Sequence, residues 1–252
     1  MAAQRLAIVS AMHEELRALL PSLKEPHSLM IAGRHFHTGT LDNHPVVLVL
    51  SGIGKVAVAM TATLLITEFD VRAIVLTGVA GGIGRGVRLG DVVVARQLLQ
   101  HDMDASPLFP RFEVPLTGRS RFDTDAALTG ALATSALRST ARAAELLGEA
   151  HLADFGIDSP LVHEGLVVSG DRFVATAAES RALVHDLPDA LAVEMEGAAL
   201  AQVCHDFGRP FAVLRTVSDR ADDDAHADFS RFIVEVASVY TRVIVHDWLQ
   251  GS

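Results

Sequence analysis

Short apolar runs rich in β-branched residues recur along the chain, and they constrain its fold more than any other feature. Each run is no longer than a single strand and is almost continuously apolar, which is typical of strands covered on both faces of a sheet. The runs lie at residues 6–10, 46–50, 73–78, 91–95, 165–170, 191–195 and 211–218.

Between these runs, apolar residues return at spacings of three and four, which predicts amphipathic helices. The helices are expected at residues 12–20, 54–69, 124–147, 176–184, 197–207 and 229–249. Alternating strands and helices predict an α/β fold with a mixed or mostly parallel sheet flanked by helices. No linker or internal repeat divides the chain, so we expect one domain over residues 1–252, with the proline-containing segment 100–123 as a long surface excursion.

Charge and cysteine content exclude several classes of function. The 252 residues include 31 acidic and 21 basic side chains, and the formal net charge of −10 has the wrong sign for binding nucleic acid or an anionic membrane surface. The single cysteine, Cys204, rules out intramolecular disulfides and cysteine-built metal sites. Because we find neither a signal sequence nor an apolar run of ~20 residues, we expect a cytoplasmic protein.

The string TGVAGGIG at residues 77–84 matches the glycine pattern of short-chain dehydrogenases but lacks its context. A dinucleotide site needs a helix directly after the glycines, whereas here the chain continues through Gly86 and Gly90 into another strand. A catalytic YxxxK pair is impossible because the only tyrosine, Tyr240, follows both lysines. We therefore interpret the glycines as a turn that lets a ligand approach the backbone.

SGIGKVAV at residues 51–58 resembles a phosphate loop, but Val49 replaces its first glycine and Val56 its magnesium-binding hydroxyl. We interpret it as a glycine turn that opens a helix. No metal site is expected. The candidate metal ligands are interpreted as polar loop residues: His101, Asp102, 222–224 and His226.

Acidic residues follow several predicted strands, where ligands bind in α/β sheets. Glu15 follows the first strand, Glu194 and Glu196 end another, and Asp219 follows the last. Glu194 and Glu196 are two residues apart, so in a strand they share a face. Two buried carboxylates there would repel each other, so we expect one to turn away or to bind the backbone.

Six strings carry a family resemblance when they are taken together and in order. The strings are AMHEEL at 11–16, SGIGK at 51–55, TGVAGG at 77–82, SGDRF at 169–173, VEMEGAALA at 193–201 and RTVSD at 215–219. The chain resembles the nucleoside phosphorylase and nucleosidase superfamily from residue 6 to about residue 235. The greatest similarity is to the bacterial 5′-methylthioadenosine/S-adenosylhomocysteine nucleosidases.

The resemblance implies how an N-glycosidic bond would be cleaved without a cofactor. Asp219 would protonate adenine N7, and Glu15 would act as the general base that orients the attacking water, assisted by Arg215. Glu196 would accept hydrogen bonds from the ribose hydroxyls, with Met195 beneath the sugar. Carboxyl groups suit both tasks, because the departing purine needs a proton and the oxocarbenium-like sugar needs a guided nucleophile.

The resemblance also implies the walls of a nucleoside pocket. Phe173 would stack on adenine, and the Val174 backbone would read its Watson–Crick edge. The remaining contacts to the base would come from Ala80, Gly81 and Ser218. The 5′ substituent would meet Met12, Ile53 and Phe229, and in a neighbouring subunit Ala105 and Leu108.

These roles make physical demands on the acids. An aspartic acid that donates a proton near pH 7 needs its pKa raised by about 3 units from ~3.9, roughly 4 kcal/mol, which requires burial or a negative field. The structural alternatives are that Ser218 and Asp219 cap the next helix, and that Glu15 is a solvated residue of a first helical turn.

Water is the expected nucleophile because the segment after the first strand, SAMHEE, is acidic and would repel phosphate. Phosphorolysis stays open as an alternative because the sequence does not place Arg34, Arg85 and Arg88. Another alternative is a related enzyme for a different nucleoside, including 6-amino-6-deoxyfutalosine. A third is a nucleoside-binding protein without turnover.

The chain departs from the family pattern in two places. Val79 stands where relatives usually have serine or threonine. The segment at 101–114 begins like the family segment that enters a neighbouring site and then diverges, with Ala105 and Leu108 at positions expected to touch the 5′ group and Arg111 placed to meet a substrate carboxylate. We therefore expect a homodimer in which residues 101–114 complete the neighbouring site.

Overall fold

The computed structural model describes residues 4–219 and 229–251, and within them ten strands form one mixed sheet. The strands are β1 (Leu6–Ser10), β2 (Lys24–Ile31), β3 (Arg34–Leu41), β4 (His44–Leu50), β5 (Ala73–Gly82), β6 (Val92–Gln100), β7 (Arg121–Asp123), β8 (Val162–Ser169), β9 (Ala190–Glu194) and β10 (Phe211–Asp219). The helices are α1 (His13–Leu19), α2 (Lys55–Thr67), α3 (Ala126–Thr140), α4 (Ala143–Leu147), α5 (Glu149–Asp154), α6 (Ala177–Asp186), α7 (Gly197–Asp206), α8 (Phe229–Phe232) and α9 (Ser238–Gln250), with a 3₁₀ turn at Leu20–Ser22 and a π-helical turn at Ile233–Ala237. The predicted α/β class with a mixed sheet and flanking helices is confirmed.

The sheet closes partly on itself. β5 pairs with both β9 and β10, so that β5, β10, β6, β8 and β9 form a ring. From β5 the sheet extends through β1, β4 and β3 to β2 at the edge. One face packs against α1, α3 and α9, and the other against α2 and α7. The carboxyl ends of β1, β5, β8, β9 and β10 border one cavity.

The predicted apolar runs form strands whose side chains are buried on both faces of the sheet, as they are throughout β1 and β10. The sequence analysis assigned no element to β2 and β3. β2 is exposed along almost its whole length, so it lacks the apolar run by which the other strands were predicted. The helix predicted over 124–147 is interrupted between α3 and α4.

The interpretation of the glycines at 77–84 as a turn is wrong, because β5 continues through Gly82. A Cβ atom on Gly78 would overlap the guanidinium of Arg215, and one on Gly82 would lie 2.9 Å from Val217 Cγ1. The missing side chains therefore let β10 pack closely against β5. The other glycine segment forms the predicted turn, with φ of 78° at Gly52 and 98° at Gly54, directly before α2.

Helices in the described part of the chain are all too short or too polar to span a bilayer.

Candidate active site

The cavity at these strand ends encloses about 620 Å³, including its open mouth, a size typical of small-molecule sites. Most of the predicted pocket residues line it. They are Met12, Ile53, Ala80, Gly81, Phe173, Val174, Met195, Glu196, Arg215, Ser218, Asp219 and Phe229. Val79 and Arg172 also contribute to the lining. The structure thus brings together segments from both ends of the chain.

Glu15, the predicted general base, is not among the residues that line the cavity and is fully buried in the first turn of α1. Its Oε1 lies near the position that a Cβ of Gly78 would occupy, next to the Arg215 guanidinium. Neither Glu15 carboxylate oxygen forms a hydrogen bond within the described residues. Desolvation raises the pKa of Glu15 to about 7, although the positive charge of Arg215 opposes this shift. A carboxyl group with such a pKa can accept a proton near neutral pH.

Glu196 sits at the N-terminal end of α7, where the glycine turn before α2 reaches it. Its Oε1 accepts a 2.9 Å hydrogen bond from the Gly54 amide, and its Oε2 lies 3.3 Å from Arg215 Nη2. Burial raises the pKa of Glu196 to about 7, and repulsion from Glu194 adds to this shift. Gly54 makes this contact with a φ of 98°, a conformation that favours glycine.

Arg215 is fully buried and connects these acids. Burial alone would lower the pKa of its guanidinium, but attraction to Glu194, Glu196 and Glu15 outweighs this effect and raises it. Arg215 Nη2 forms an ion pair with Glu194, and Nη1 donates a 3.1 Å hydrogen bond to the Thr77 carbonyl. The expected repulsion between Glu194 and Glu196 is thus relieved by a shared cation, and Glu194 also binds backbone amides.

Asp219 is the last residue of β10 and is only 7% exposed. A bulge between Val217 and Asp219 interrupts the pairing of β10 with β5 and places Asp219 opposite Gly81. The Ser218 hydroxyl donates a 2.8 Å hydrogen bond to Asp219 Oδ2. The acidic run at 222–224 and His226, which follow, lie outside the described residues.

A loop after β8 carries the two residues expected to contact the base. Phe173 is 41% exposed, and its ring meets that of Phe229 edge to face, with 6.3 Å between centroids. Val174 is buried. Asp171 anchors the loop, because its Oδ1 accepts a 2.7 Å hydrogen bond from the Lys55 amide at the start of α2.

Asp102 ties a third segment to this loop. It accepts a 2.9 Å hydrogen bond from the Asp171 amide and forms a 2.7 Å ion pair with Lys55. The sequence analysis had treated Asp102 as solvated loop charge, and it missed Lys55 and Asp171 as anchors of the site. The strings SGIGK and SGDRF contained both residues, but their contact depends on the tertiary fold.

Some predicted residues lie away from this cavity. Ala105 and Leu108 do not line it in their own chain, and Leu108 is 84% exposed. Within its own chain, Arg111 forms a 2.7 Å ion pair with Asp186 and lies over the Phe112 ring.

The three arginines considered for phosphate binding do not line the cavity either: Arg34, Arg85 and Arg88. Arg34 donates hydrogen bonds to the carbonyl groups of Ser51, Ala32 and Ala57. Arg88 donates to the Ser159 carbonyl.

Comparison with known proteins decides the family. The sequence-family model of the phosphorylase superfamily matches residues 5–246. The 5′-methylthioadenosine/S-adenosylhomocysteine nucleosidase of Shewanella halifaxensis is 34% identical over 231 residues, which cover 92% of this chain and 93% of that protein. The chain belongs to the 5′-methylthioadenosine/S-adenosylhomocysteine nucleosidase family. The resemblance stated from the six strings is therefore confirmed.

Solved structures of this nucleosidase family share the fold. The Neisseria meningitidis 5′-methylthioadenosine/S-adenosylhomocysteine nucleosidase, in complex with methylthio-immucillin-A, has a TM-score of 0.85 and 32% identity and covers 99% of this chain and 100% of that one. The futalosine hydrolase of Helicobacter pylori has a TM-score of 0.83 and 31% identity, with 99% of each chain covered.

Proposed function

We propose that this chain hydrolyses the N-glycosidic bond of 5′-methylthioadenosine and S-adenosylhomocysteine and releases adenine. One observation carries the proposal. Two acids that are distant in sequence, Glu196 and Asp219, line one cavity together with the buried Arg215, and a third, Glu15, is buried next to the Arg215 guanidinium. The identity of this chain to nucleosidases named for these two substrates supports the choice of nucleoside.

The proposed reaction uses side chains for each proton transfer. Asp219 donates a proton to adenine N7, so that the C1′–N9 bond breaks and the bonding electrons leave with the neutral base. Glu15 takes a proton from water, whose oxygen bonds to C1′. Arg215 assists by orienting that water, and Glu196 accepts hydrogen bonds from the ribose hydroxyls. Burial supports these roles, because electrostatic interactions are stronger away from bulk water.

The rest of the proposed pocket selects the nucleoside. Phe173 stacks on adenine, and the backbone of Val174, Ala80 and Gly81 lies along the base, with Ser218 holding Asp219. Met195 packs beneath the ribose. The 5′ substituent meets an apolar wall formed by Met12, Ile53 and Phe229, which suits a thioether.

Charge favours water over phosphate as the nucleophile. Glu194, Glu196 and Asp219 line the cavity, and Glu15 is buried next to Arg215. Arg215 is already paired with two of these carboxylates, and Arg172 at the cavity mouth forms an ion pair with Glu179. A dianionic phosphate would therefore meet net negative charge.

Adenine release from each substrate, measured with and without inorganic phosphate, tests the proposal. We expect equal rates under both conditions, and a free reducing sugar as the second product. Release that requires phosphate, with a sugar 1-phosphate as product, would establish a phosphorylase instead. Tight nucleoside binding without base release would establish a binding protein.

Futalosine hydrolysis is the second candidate function, because the Helicobacter pylori futalosine hydrolase resembles this chain nearly as well as the nucleosidases do. 6-Amino-6-deoxyfutalosine belongs in the same substrate panel. A higher kcat/KM for it than for both thioadenosine substrates would reverse the order of the two candidates.

We also infer a homodimer in which residues 101–114 complete the neighbouring site through Ala105 and Leu108. Large apolar side chains are exposed near the cavity mouth, with Ile53 60% and Val56 80% exposed. The Lys55–Asp102 ion pair joins this surface to the start of the 101–114 segment. Leu108→Glu should weaken the dimer in ultracentrifugation and raise KM, whereas Leu137→Glu, which changes an exposed leucine on α3, should do neither. A monomeric wild type with full activity would contradict this inference.

A further inference from the structure

Glu194 is a buried carboxylate to which the proposed chemistry assigns no step. It is the last residue of β9, only 6% exposed, and it precedes the proposed ribose ligand Glu196 by two positions. A buried carboxylate is costly unless hydrogen-bond donors surround it. The environment of Glu194 therefore indicates what this residue does.

Donors from three directions surround the Glu194 carboxylate. The Ser169 hydroxyl donates to Oε1, the Glu196 amide donates to Oε2 at 3.1 Å, and the Gly197 amide lies within 3.0 Å of both oxygens. These two amides belong to the N-terminus of α7, where the helix dipole also favours an anion. Arg215 Nη2 supplies the remaining donor. All these partners donate to the carboxylate oxygens, as a buried carboxylate requires.

This anchored anion fixes Arg215 in turn. The guanidinium is held by Glu194 and by the Thr77 carbonyl, and its Nη2 lies 3.3 Å from Glu196 Oε2. Gly78 opposite leaves the space that the guanidinium occupies. Since Ser169 and α7 hold Glu194 in place, the sheet and the helix together set the orientation of Arg215.

We propose that Glu194 is a positioning residue, which orients the Arg215 guanidinium between Glu15 and Glu196 and balances its charge, so that Glu15 can take a proton from water and Glu196 can accept hydrogen bonds from the ribose. The proposal rests on the proposed function, because it concerns the same site. Glu194 itself needs no contact with substrate.

The charge balance has a measurable consequence. If Glu194 were neutral, the uncompensated charge of Arg215 would stabilise the ionised forms of Glu15 and Glu196, and their pKa values would fall from about 7. Two further titratable groups interact electrostatically with this cluster: Glu14 raises the pKa of Glu15, and His101 lies in the field of Glu194. Burial lowers the pKa of His101, so its ring is uncharged near neutral pH and does not replace the lost balance.

Glu194→Gln tests the proposal through the pH profile of kcat/KM. Activity should rise with pH as Glu15 ionises. In the Gln variant we expect this ascending limb to move to lower pH by about one unit. Misplacement of Arg215 should also lower kcat about tenfold or more. Glu14→Gln, which removes an equal charge without touching Arg215, is the matched control and should keep kcat near the wild-type value.

Two charge-preserving variants separate positioning from a purely structural role. Glu194→Asp and Ser169→Ala keep the anion but loosen its placement, so that kcat should fall while the ascending limb stays at its wild-type pH. A limb that does not move in Glu194→Gln, or that moves in Glu194→Asp, would overturn the proposal. If Glu194→Gln does not fold, the Asp and Ala variants still decide the question.

The same shift can be measured without turnover. Carboxyl ¹³C NMR of labelled glutamate should show the titrations of Glu15 and Glu196 near pH 7 in the wild type and at lower pH in Glu194→Gln. Unchanged titrations would refute the charge balance even if no substrate were cleaved. If the wild type releases no adenine but the titrations still move to lower pH in Glu194→Gln, only the proposed function would be refuted.

Discussion

Gly78→Ala is expected to damage catalysis although glycine carries no reacting group. Gly78 lies opposite Arg215 in the pairing of β5 with β10. A Cβ atom there would overlap Arg215 Nη1 outright and would lie 3.1 Å from Cζ, whereas ordinary contacts are 3.4–4 Å. Because the guanidinium is buried, it has to leave the position in which it contacts both Glu194 and Glu196.

The expected loss follows from that displacement. Moving a positioned group by about 1 Å costs about 100-fold in rate, which corresponds to ~3 kcal/mol of transition-state stabilisation. Overpacking should also lower the free energy of unfolding by about 1–3 kcal/mol. The effect on activity should therefore be present in folded protein, well below the melting temperature.

Gly165→Ala is the matched control. A Cβ at this glycine of β8 would lie 2.7 Å from Leu191 Cδ1, a flexible side chain outside the cavity lining. We expect a comparable loss of stability, but kcat/KM for adenine release within about threefold of the wild type. If Gly78→Ala is folded and equally active, Arg215 does not need its observed position and the reasoning fails.

Three other predictions concern the acids, the base-binding loop and the cysteine. Burial holds the pKa of Glu15 at about 7 against 4.5 for an ordinary glutamate, so the folded state binds more protons and loses stability as pH rises through this window. From pH 4.5 to pH 8, the free energy of unfolding of Glu15→Gln should therefore rise by up to about 3 kcal/mol relative to that of the wild type, as measured by chemical denaturation. The same difference between variant and wild type at both pH values would contradict this prediction. Asp171→Ala should raise KM about tenfold with less effect on kcat, because the loop carrying Phe173 loses its anchor on Lys55, and an unchanged KM would be contrary evidence. Burial raises the pKa of the Cys204 thiol to about 12, so a thiol reagent should label it only on unfolding, and rapid labelling of native protein would disagree.

The strands that were predicted from the sequence are those whose burial is visible as a local run of apolar residues. β1 and β10 are buried at every position, and their apolar runs reflect that. β2 is exposed and was missed, because it joins the edge of the sheet by backbone hydrogen bonds that any sequence can form. The glycines of β5 were misread because they accommodate side chains of β10, a partner distant in sequence.

The acids of the site were predictable because they follow strands, and strand ends meet at one edge. Their partners were not predictable. Nothing in the spacing of Glu194 and Glu196 shows that the first binds Ser169 and α7, whereas the second receives the Gly54 amide. Sequence spacing places side chains on a face, but tertiary contacts decide which charge each one meets.

Single-turnover release of adenine from 5′-methylthioadenosine tests the central claim most directly. The account predicts that Glu15→Gln and Asp219→Asn each slow release at least about 100-fold, the scale of a positioned base or acid, while both variants keep a cooperative melting transition. Release by both variants at the wild-type rate would mean that these buried acids do not perform the chemistry proposed for this cavity.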